Sequence, residues 1–221
     1  MEFILYLREK EFPALAPVPS KDGDYVKKIN CQWGEYFASV FEKVDGCQIE
    51  DTDYSDEIIF QYGKTLGILH SLSSRFTPKT KKWDHVEVLE WIYKTIRKYN
   101  APDCMFKELE SIKKEMLLLP TDSNHYGLVH YDFEPDNVFY NSKDKTCSVI
   151  DFDDGMYHWY ALDIEQVFDA LGDELDKNKL EQAKKEFITG YKTEFFYSEE
   201  TKIYKNLKKT CKITHEFESN G

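Results

Sequence analysis

Hydrophobic residues recur every three or four positions over most of the chain after residue 57, a spacing typical of amphipathic helices. In the first such segment, Ile59, Tyr62, Leu66 and Leu69 share one face of a helix that ends near residue 72. His70 lies in the same segment and is interpreted as a packing residue. Further helices are predicted over 2–11, 83–99, 104–119, 160–171, 175–192 and 198–214.

The helix predicted over 83–99 has a well-defined apolar stripe. It is formed by Val86, Leu89, Ile92 and Ile96, which lie three or four residues apart and therefore on one face. We expect this face to be buried against the rest of the protein.

Two runs near the start of the chain have the composition of strands. Residues 24–33 and 35–44 flank Gly34 and predict a β-hairpin. The acidic and polar stretch 45–57 that follows predicts a linker. We therefore expect an α+β protein, with a small β-containing part over residues 1–45 and a mainly helical part over residues 46–221.

Composition narrows the classes of partner. The formal net charge is −12 and the isoelectric point is about 5.0, which disfavours nucleic acid or an anionic membrane as the main partner. The same charge is compatible with a cationic small substrate. Five cysteines without a CxxC pair predict free thiols in a reducing cytoplasm, and the N-terminus does not have the pattern of a signal peptide.

One motif that suggests phosphate binding is incomplete in this chain. The stretch YGKTLG (62–67) contains the GKT of a P-loop. That motif requires a glycine five residues before Gly63, where this chain has Ile58. Because the stretch also lies on a strongly periodic helix, it is interpreted as helix and not as a phosphate-binding loop.

The stretch GLVHYDFEPDNVFYNSKDKTCSVIDFDDG (127–155) carries six aspartates and one glutamate among short strand-like runs at 127–130, 137–140 and 147–151. Asn137 comes at the start of one run, and Asp151 ends its antiparallel partner. The two side chains should therefore meet at one edge of the paired strands. Asp132 lies five residues before Asn137, across a loop bent by Pro135.

This arrangement predicts a particular chemistry. Carboxylate and amide oxygens suit Mg²⁺, which keeps several waters and shares its coordination shell with substrate phosphates. A carboxylate outside the metal shell can take a proton from a hydroxyl. Together these parts match the template for phosphoryl transfer to an alcohol.

The same residues resemble a known family. HYDFEPDN and IDFDD resemble the catalytic loop and metal-binding motif of the protein-kinase-like superfamily. The form without an arginine after the histidine is similar to the aminoglycoside phosphotransferase and choline kinase branch, as are LGILHSL (66–72) and YALDIEQVF (160–168). The resemblance implies a protein-kinase-like two-lobe fold with a truncated β-containing N-lobe and a helical C-lobe, and it implies ATP and Mg²⁺ as cofactors.

Residue by residue, the resemblance implies that Asp132 is the catalytic base and that Asn137 and Asp151 bind Mg²⁺. Asp153 is a further candidate for a metal or substrate contact. Two residues are expected to support the loop. His130 would brace it, and a buried Asp163 would tie its backbone to the following helix.

The resemblance also implies contacts with the nucleotide and the acceptor. Backbone groups near Glu42 and Val44 would meet adenine, and Glu2 aligns with the glutamate that pairs with the ATP-binding lysine. Acidic residues of the helical part would suit a cationic acceptor hydroxyl compound. These candidates are Glu134, Asp136, Asp154, Glu165 and Asp169.

Several alternatives stay open at this point. Each acidic residue alone could be a turn former or a solvent-facing strand end, although their joint spacing favours the catalytic interpretation. The glycine-rich loop and lysine that precede the helix of Glu2 in the family have no counterpart in this chain. An ATP-dependent small-molecule kinase, a truncated or pseudokinase-like non-catalytic binding protein, and a metal-dependent phosphohydrolase are therefore the three hypotheses.

Overall fold

A computed structural model describes residues 1–197. Within that range the helices are Glu2–Glu9 (α1), Asp56–Ser73 (α2), His85–Lys98 (α3), Asp103–Met116 (α4), Ala161–Glu174 (α5) and Lys177–Lys192 (α6). The strands are Pro17–Val18 (β1), Lys27–Cys31 (β2), Gly34–Ala38 (β3), Val40–Phe41 (β4), Cys47–Gln48 (β5), Tyr126–Leu128 (β6), Val138–Asn141 (β7), Thr146–Val149 (β8) and Tyr157–Trp159 (β9). The predicted α+β class is confirmed. The helix predicted over 198–214 lies outside the described residues.

All paired strands in the described region are antiparallel. β5, β7 and β8 form a three-stranded sheet, and the pairs β1–β4, β2–β3 and β6–β9 are two-stranded. The middle strand, β7, is joined to β8 by a short turn, and Val138 pairs with Val149. This register matters for the site because it determines which residues leave the sheet side by side.

The predicted hairpin is present, but it is shorter than expected. β2 pairs with β3, and Gly34 has a φ of +131° at the turn, a conformation that glycine adopts readily. The segment 35–44 is not one strand, because the chain changes partner after β3 and β4 pairs with β1. The expected division of the chain near residue 45 stays a prediction.

The predicted linker 45–57 is also partly structured. β5 pairs with β7, joining Cys47 to Tyr140, and a short 3₁₀ helix over Ile49–Asp51 buries Ile49 completely. The prediction missed β5 because its pairing partner lies more than 90 residues further along the chain.

Helix α2 lies at the centre of the main core. Its predicted stripe of Ile59, Tyr62, Leu66 and Leu69 is fully buried. α2 packs closely on α6, since a Cβ on Gly63 would lie 2.0 Å from the carbonyl oxygen of Phe187. The glycine of the P-loop-like stretch therefore allows two helices to approach, in agreement with its rejection as a phosphate-binding motif.

A second core forms around α3 and α4. Asp84 caps α3 by accepting hydrogen bonds from the backbone N–H groups of Val86 and Glu87. The predicted stripe is correct at three positions, but Val86 is exposed and Val88 is buried. Val88 lies one turn before Ile92 on the buried face, whereas Val86 lies on the flank of that face, although it is three residues before Leu89. No helix within residues 1–197 is long and apolar enough to cross a membrane.

Candidate active site

The β7–β8 pair brings two predicted site residues together. The backbone N–H of Ile150 donates to the carbonyl oxygen of Asn137 at 3.0 Å. The next residue, Asp151, has a left-handed φ of 55°, which turns the chain sharply as it leaves the strand. Asn137 and Asp151 therefore emerge at the same edge of the sheet, as the sequence predicted.

Asp132 lies against Asn137. The side-chain amide of Asn137 donates to Oδ2 of Asp132 at 2.8 Å and to its backbone carbonyl at 3.1 Å. The Asp132 carboxylate is half-buried, and this loss of hydration raises its pKa above the ordinary value. A carboxylate with a raised pKa is a stronger base.

His130 joins the two ends of this loop. Its Nε2 donates to the carbonyl oxygen of Ile150 at 2.9 Å, and its Nδ1 accepts from the backbone N–H of Asp132 at 3.3 Å. These two bonds define the tautomer, with the proton on Nε2. The ring is fully buried, and burial lowers its pKa, so the neutral form is favoured.

Asp163, on α5, holds the loop from the other side. Its carboxylate accepts the backbone N–H groups of His130 and Tyr131, both at 2.9 Å. Tyr131 has a φ of 73°, an uncommon conformation that these contacts help to maintain. Burial opposes ionisation of Asp163, but the hydrogen bond from His70 and the backbone donors hold its pKa below the ordinary value.

His70 supports the loop through Asp163, a role that the sequence analysis underestimated when it interpreted His70 as a packing residue. It lies on α2, and its Nε2 is 3.0 Å from Oδ2 of Asp163. Its Nδ1 lies 2.8 Å from the hydroxyl of Tyr191 on α6. Burial lowers the pKa of His70, so the neutral ring accepts from Tyr191 and donates to Asp163. The sequence feature that could have indicated this role is the presence of a histidine in an otherwise apolar helical stripe.

Two cavities open beside these residues. We call the first the acceptor-side cavity; it has a volume of about 510 Å³ and includes Asp132, Asp153 and Asp154 in its wall. The second, which we call the nucleotide-side cavity, has a volume of about 490 Å³ and includes Asp151 and Asp153. Asp153 lines both cavities, so the two spaces border the same residue, four positions after the end of β8.

The predicted hinge lies in the nucleotide-side cavity, which Glu42 and Val44 both line. The N–H of Glu42 donates to the carbonyl oxygen of Ala16 at 2.8 Å. The carbonyl of Glu42 and the N–H of Val44 form no backbone hydrogen bond within residues 1–197. These two groups are therefore available to a ligand.

Other predicted residues lie elsewhere. The Glu2 carboxylate accepts the backbone N–H groups of Lys79 and Thr80, at 2.8 and 3.4 Å, and lines neither cavity. Among the predicted acceptor contacts, Asp154 lines the acceptor-side cavity. The remaining four residues are absent from both cavity walls: Glu134, Asp136, Glu165 and Asp169.

The oxygen atoms at the sheet edge fit a magnesium ion. Within the described residues, neither Oδ1 of Asn137 nor the Asp151 carboxylate accepts a hydrogen bond from the protein. Residues 1–197 contain no group of three or more His, Cys, Asp or Glu side chains that could hold a metal unaided. Two protein oxygens completed by waters and phosphate oxygens are the arrangement that Mg²⁺ prefers.

Comparison with solved structures shows that the described chain has a kinase-like fold. Amicoumacin kinase hAmiN, in complex with AMP-PNP, Ca²⁺ and Ami, matches with a TM-score of 0.77 and 23% identity, over 89% of this chain and 61% of that chain. The microcompartment-associated aminopropanol kinase matches with a TM-score of 0.65 and 18% identity, over 90% of this chain and 64% of the other. A third match is aminoglycoside-3'-phosphotransferase of type VIII, with a TM-score of 0.62 and 15% identity, over 95% of this chain and 77% of that chain.

The family profile of the phosphotransferase enzymes matches residues 1–196, and the chain belongs to this phosphotransferase enzyme family. Amicoumacin kinase of Bacillus subtilis (strain 168) is 29% identical over 172 residues, covering 74% of this chain and 49% of the relative. A second relative, from Synechocystis, is 23% identical and is covered over 54% of its length. The chain thus spans about half the length of the curated relatives it matches. The predicted family resemblance is confirmed.

Proposed function

We propose that this chain carries the base and metal-binding residues of an ATP- and Mg²⁺-dependent phosphotransferase that acts on a hydroxyl group of a small cationic molecule. The observation that carries the proposal is the position of two carboxylates. Asp132 lines one cavity, Asp151 lines the other, and Asp153 lines both. A hydroxyl in the first cavity and a phosphate in the second would therefore face each other across this residue.

Asn137 and Asp151 would hold the metal through Oδ1 and the carboxylate, and Asp153 would add a contact at the junction. The bound Mg²⁺ would neutralise charge on the phosphate oxygens. The β7–β8 register and the left-handed backbone of Asp151 support this proposal, because they bring the side chains of Asn137 and Asp151 to one edge of the sheet.

Asp132 would act as the general base. Its carboxylate would accept the proton of the acceptor hydroxyl while the oxygen of that hydroxyl bonds to the phosphorus atom and the bond to the nucleotide breaks. The loop that carries it is braced by His130 and Asp163, so the carboxylate is held in position before the acceptor arrives. Such preorganisation lowers the cost of reaching the reactive geometry.

The nucleotide-side cavity offers two backbone groups for adenine. The carbonyl of Glu42 can accept from an exocyclic amine, and the N–H of Val44 can donate to a ring nitrogen. Both groups lack a backbone partner within the described residues. Ile4 and Phe41 line the same cavity and provide an apolar surface for a purine.

Two facts support a cationic acceptor. The relatives with matching folds are named as kinases of amicoumacin and aminopropanol or as an aminoglycoside phosphotransferase. The acceptor-side cavity of this chain is lined by Asp132, Asp153 and Asp154. Carboxylates near the reacting hydroxyl would attract a protonated amine.

Transfer of labelled phosphate tests the proposal. The purified protein, with Mg²⁺ and γ-labelled ATP, should phosphorylate a hydroxyl in a panel of amino alcohols, aminoglycosides and amicoumacin. Asp132→Asn should reduce kcat by about 10²–10⁴-fold with little change in melting temperature. Asp144→Asn is the control, because Asp144 lies in the exposed turn between β7 and β8.

Retained turnover in Asp132→Asn would exclude Asp132 as the base. Binding of Mg²⁺-ATP without phosphorylation of any acceptor would instead support the non-catalytic binding protein.

A further inference from the structure

We propose that the acceptor carries a planar aromatic ring, which binds against Trp83 and Trp91 while its hydroxyl reaches Asp132. The inference rests on the proposed function, since it concerns the acceptor of the same reaction. Both tryptophans line the acceptor-side cavity together with Asp132. The cavity therefore has an aromatic wall as well as an acidic one.

The two indole rings are unusually open for such large apolar groups. Trp83 is 52% exposed and Trp91 is 37% exposed, whereas Trp159 is 1% exposed. Trp159 contacts other aromatic rings, but within residues 1–197 neither Trp83 nor Trp91 does. A flat ligand that covers these rings would remove apolar surface from water and would gain the attraction between offset aromatic rings.

Both tryptophans are carried on backbone that is already fixed. The carbonyl of Trp83 accepts the N–H of Tyr157 at 2.8 Å, and the next residue, Asp84, caps α3. Trp91 lies within α3, one turn after the buried Val88. The main chain under each ring therefore needs little ordering when a ligand binds, which reduces the entropic cost of association.

The size of the cavity favours an acceptor larger than a simple amino alcohol. Its volume of about 510 Å³ lies in the range of roughly 300–1,000 Å³ that holds drug-sized ligands. An amino alcohol of three or four carbons would fill only a small part of this volume. A ring joined to the amino alcohol by a short linker would occupy both parts of the cavity.

The charges of the wall agree with this amphipathic shape. Asp132, Asp153 and Asp154 lie in the wall, and of the two lysines there Lys81 is paired with Glu87 at 2.6 Å. A protonated amine would therefore be favoured near the reacting hydroxyl. The apolar ring would bind against the tryptophans of the same cavity.

Two probes that differ in the ring test the inference. They are 1-aminopropan-2-ol and 1-amino-3-(1-naphthyloxy)propan-2-ol, each titrated calorimetrically into the protein and each assayed for phosphorylation. We expect the naphthyl probe to bind at least tenfold more tightly. Trp83→Leu and Trp91→Leu should each remove most of this preference, and Trp83→Phe and Trp91→Phe should keep most of it.

The chain offers a matched control. Trp33, between β2 and β3, is 77% exposed and lines neither cavity, so Trp33→Leu should leave the preference unchanged. Circular dichroism and melting curves would show that each variant is folded. If a leucine variant does not fold, the phenylalanine variants still test the inference.

The outcomes separate this inference from the proposed function. Equal affinity for the two probes, or an unchanged preference in both leucine variants, would overturn the aromatic acceptor even if aminopropanol is phosphorylated. A ring preference that depends on Trp83 and Trp91 would support the inference even if no acceptor is phosphorylated, in which case only the proposed function would fail.

Discussion

The ring of His70 on α2 and the carboxylate of Asp163 on α5 form a hydrogen bond of 3.0 Å in which both side chains are completely buried. The same carboxylate accepts the backbone N–H groups of His130 and Tyr131. A single buried acid therefore connects two helices to the loop that carries Asp132. The position of the proposed base depends on the stability of this interior contact.

Removal of the histidine should weaken the whole fold. His70→Ala would leave the charged, buried Asp163 with one fewer donor, and the loss of a hydrogen bond to a buried charged group costs about 3 kcal/mol. We expect the free energy of unfolding, measured by urea denaturation, to fall by roughly that amount.

A partly exposed pair of similar length provides the control for His70. His125 and Asp122 are 2.8 Å apart, and the carboxylate side chain is largely exposed. His125→Ala should therefore change stability very little. Equal losses in the two variants would contradict the special role of the buried pair.

Asp151 should be necessary for nucleotide stabilisation. In the unaltered protein, Mg²⁺-ATP at about 100 times its Kd would add ~2.7 kcal/mol of stability, seen as a rise in melting temperature. Asp151→Ala should remove this rise, because the carboxylate that lines the nucleotide-side cavity is lost. Removal of Mg²⁺ with EDTA should also abolish the rise in the unaltered protein. A full shift in the Asp151 variant would argue against Asp151 as a metal ligand.

Two glycines in helices should respond to alanine in opposite ways. A Cβ at Gly63 would lie 2.0 Å from the Phe187 carbonyl, so the α2–α6 contact would have to open. We expect Gly63→Ala to cost about 2 kcal/mol or more. At the exposed Gly172 of α5, a Cβ would meet only Leu180, at 3.6 Å, and Gly172→Ala should stabilise by about 0.5–1 kcal/mol. Thermal denaturation of both variants measures the contrast.

Stability should decrease in mild acid because of buried histidines. Burial lowers the pKa of His158 from its ordinary 6.5 to about 3, so between those values the unfolded chain binds a proton that the folded protein does not. The free energy of unfolding therefore rises with pH through this window. On acidification, the contribution of this residue lowers the free energy of unfolding with a limiting slope of about 1.4 kcal/mol per pH unit.

The variant His158→Gln isolates this contribution to the pH profile. Its unfolding free energy, measured from pH 7 to pH 4, should fall less steeply than that of the unaltered protein. His125→Gln serves as the control, since it removes a partly exposed histidine and leaves the fully buried ones in place. Identical slopes for the unaltered protein and His158→Gln would show that this histidine does not account for the acid sensitivity.

Local pattern predicted the helices found within residues 1–197 and the approach of Asp132 to Asn137. The spacing of Ile59, Tyr62 and Leu66 predicted the buried face of α2, and the interval between Asp132 and Asn137 predicted their approach. The same reasoning failed at Val86, because a residue three positions before a buried one can still lie on the flank of the buried face. It also failed for β5, because a two-residue strand is defined by its distant partner and carries little signal of its own.

By itself, the sequence determined the class of the fold, which follows from local periodicity. It also determined the family and the candidate residues for holding a metal and accepting a proton, since these follow from short intervals between oxygen-bearing side chains. Only the tertiary structure decided which acids share a space. It set Asp132 and Asp151 in adjoining cavities, took Glu134 and Asp169 away from both, and joined His70 to Asp163 across 93 positions of chain. These relationships arise from the packing of helices and strands that are far apart in sequence, and a one-dimensional pattern does not contain the distances between them.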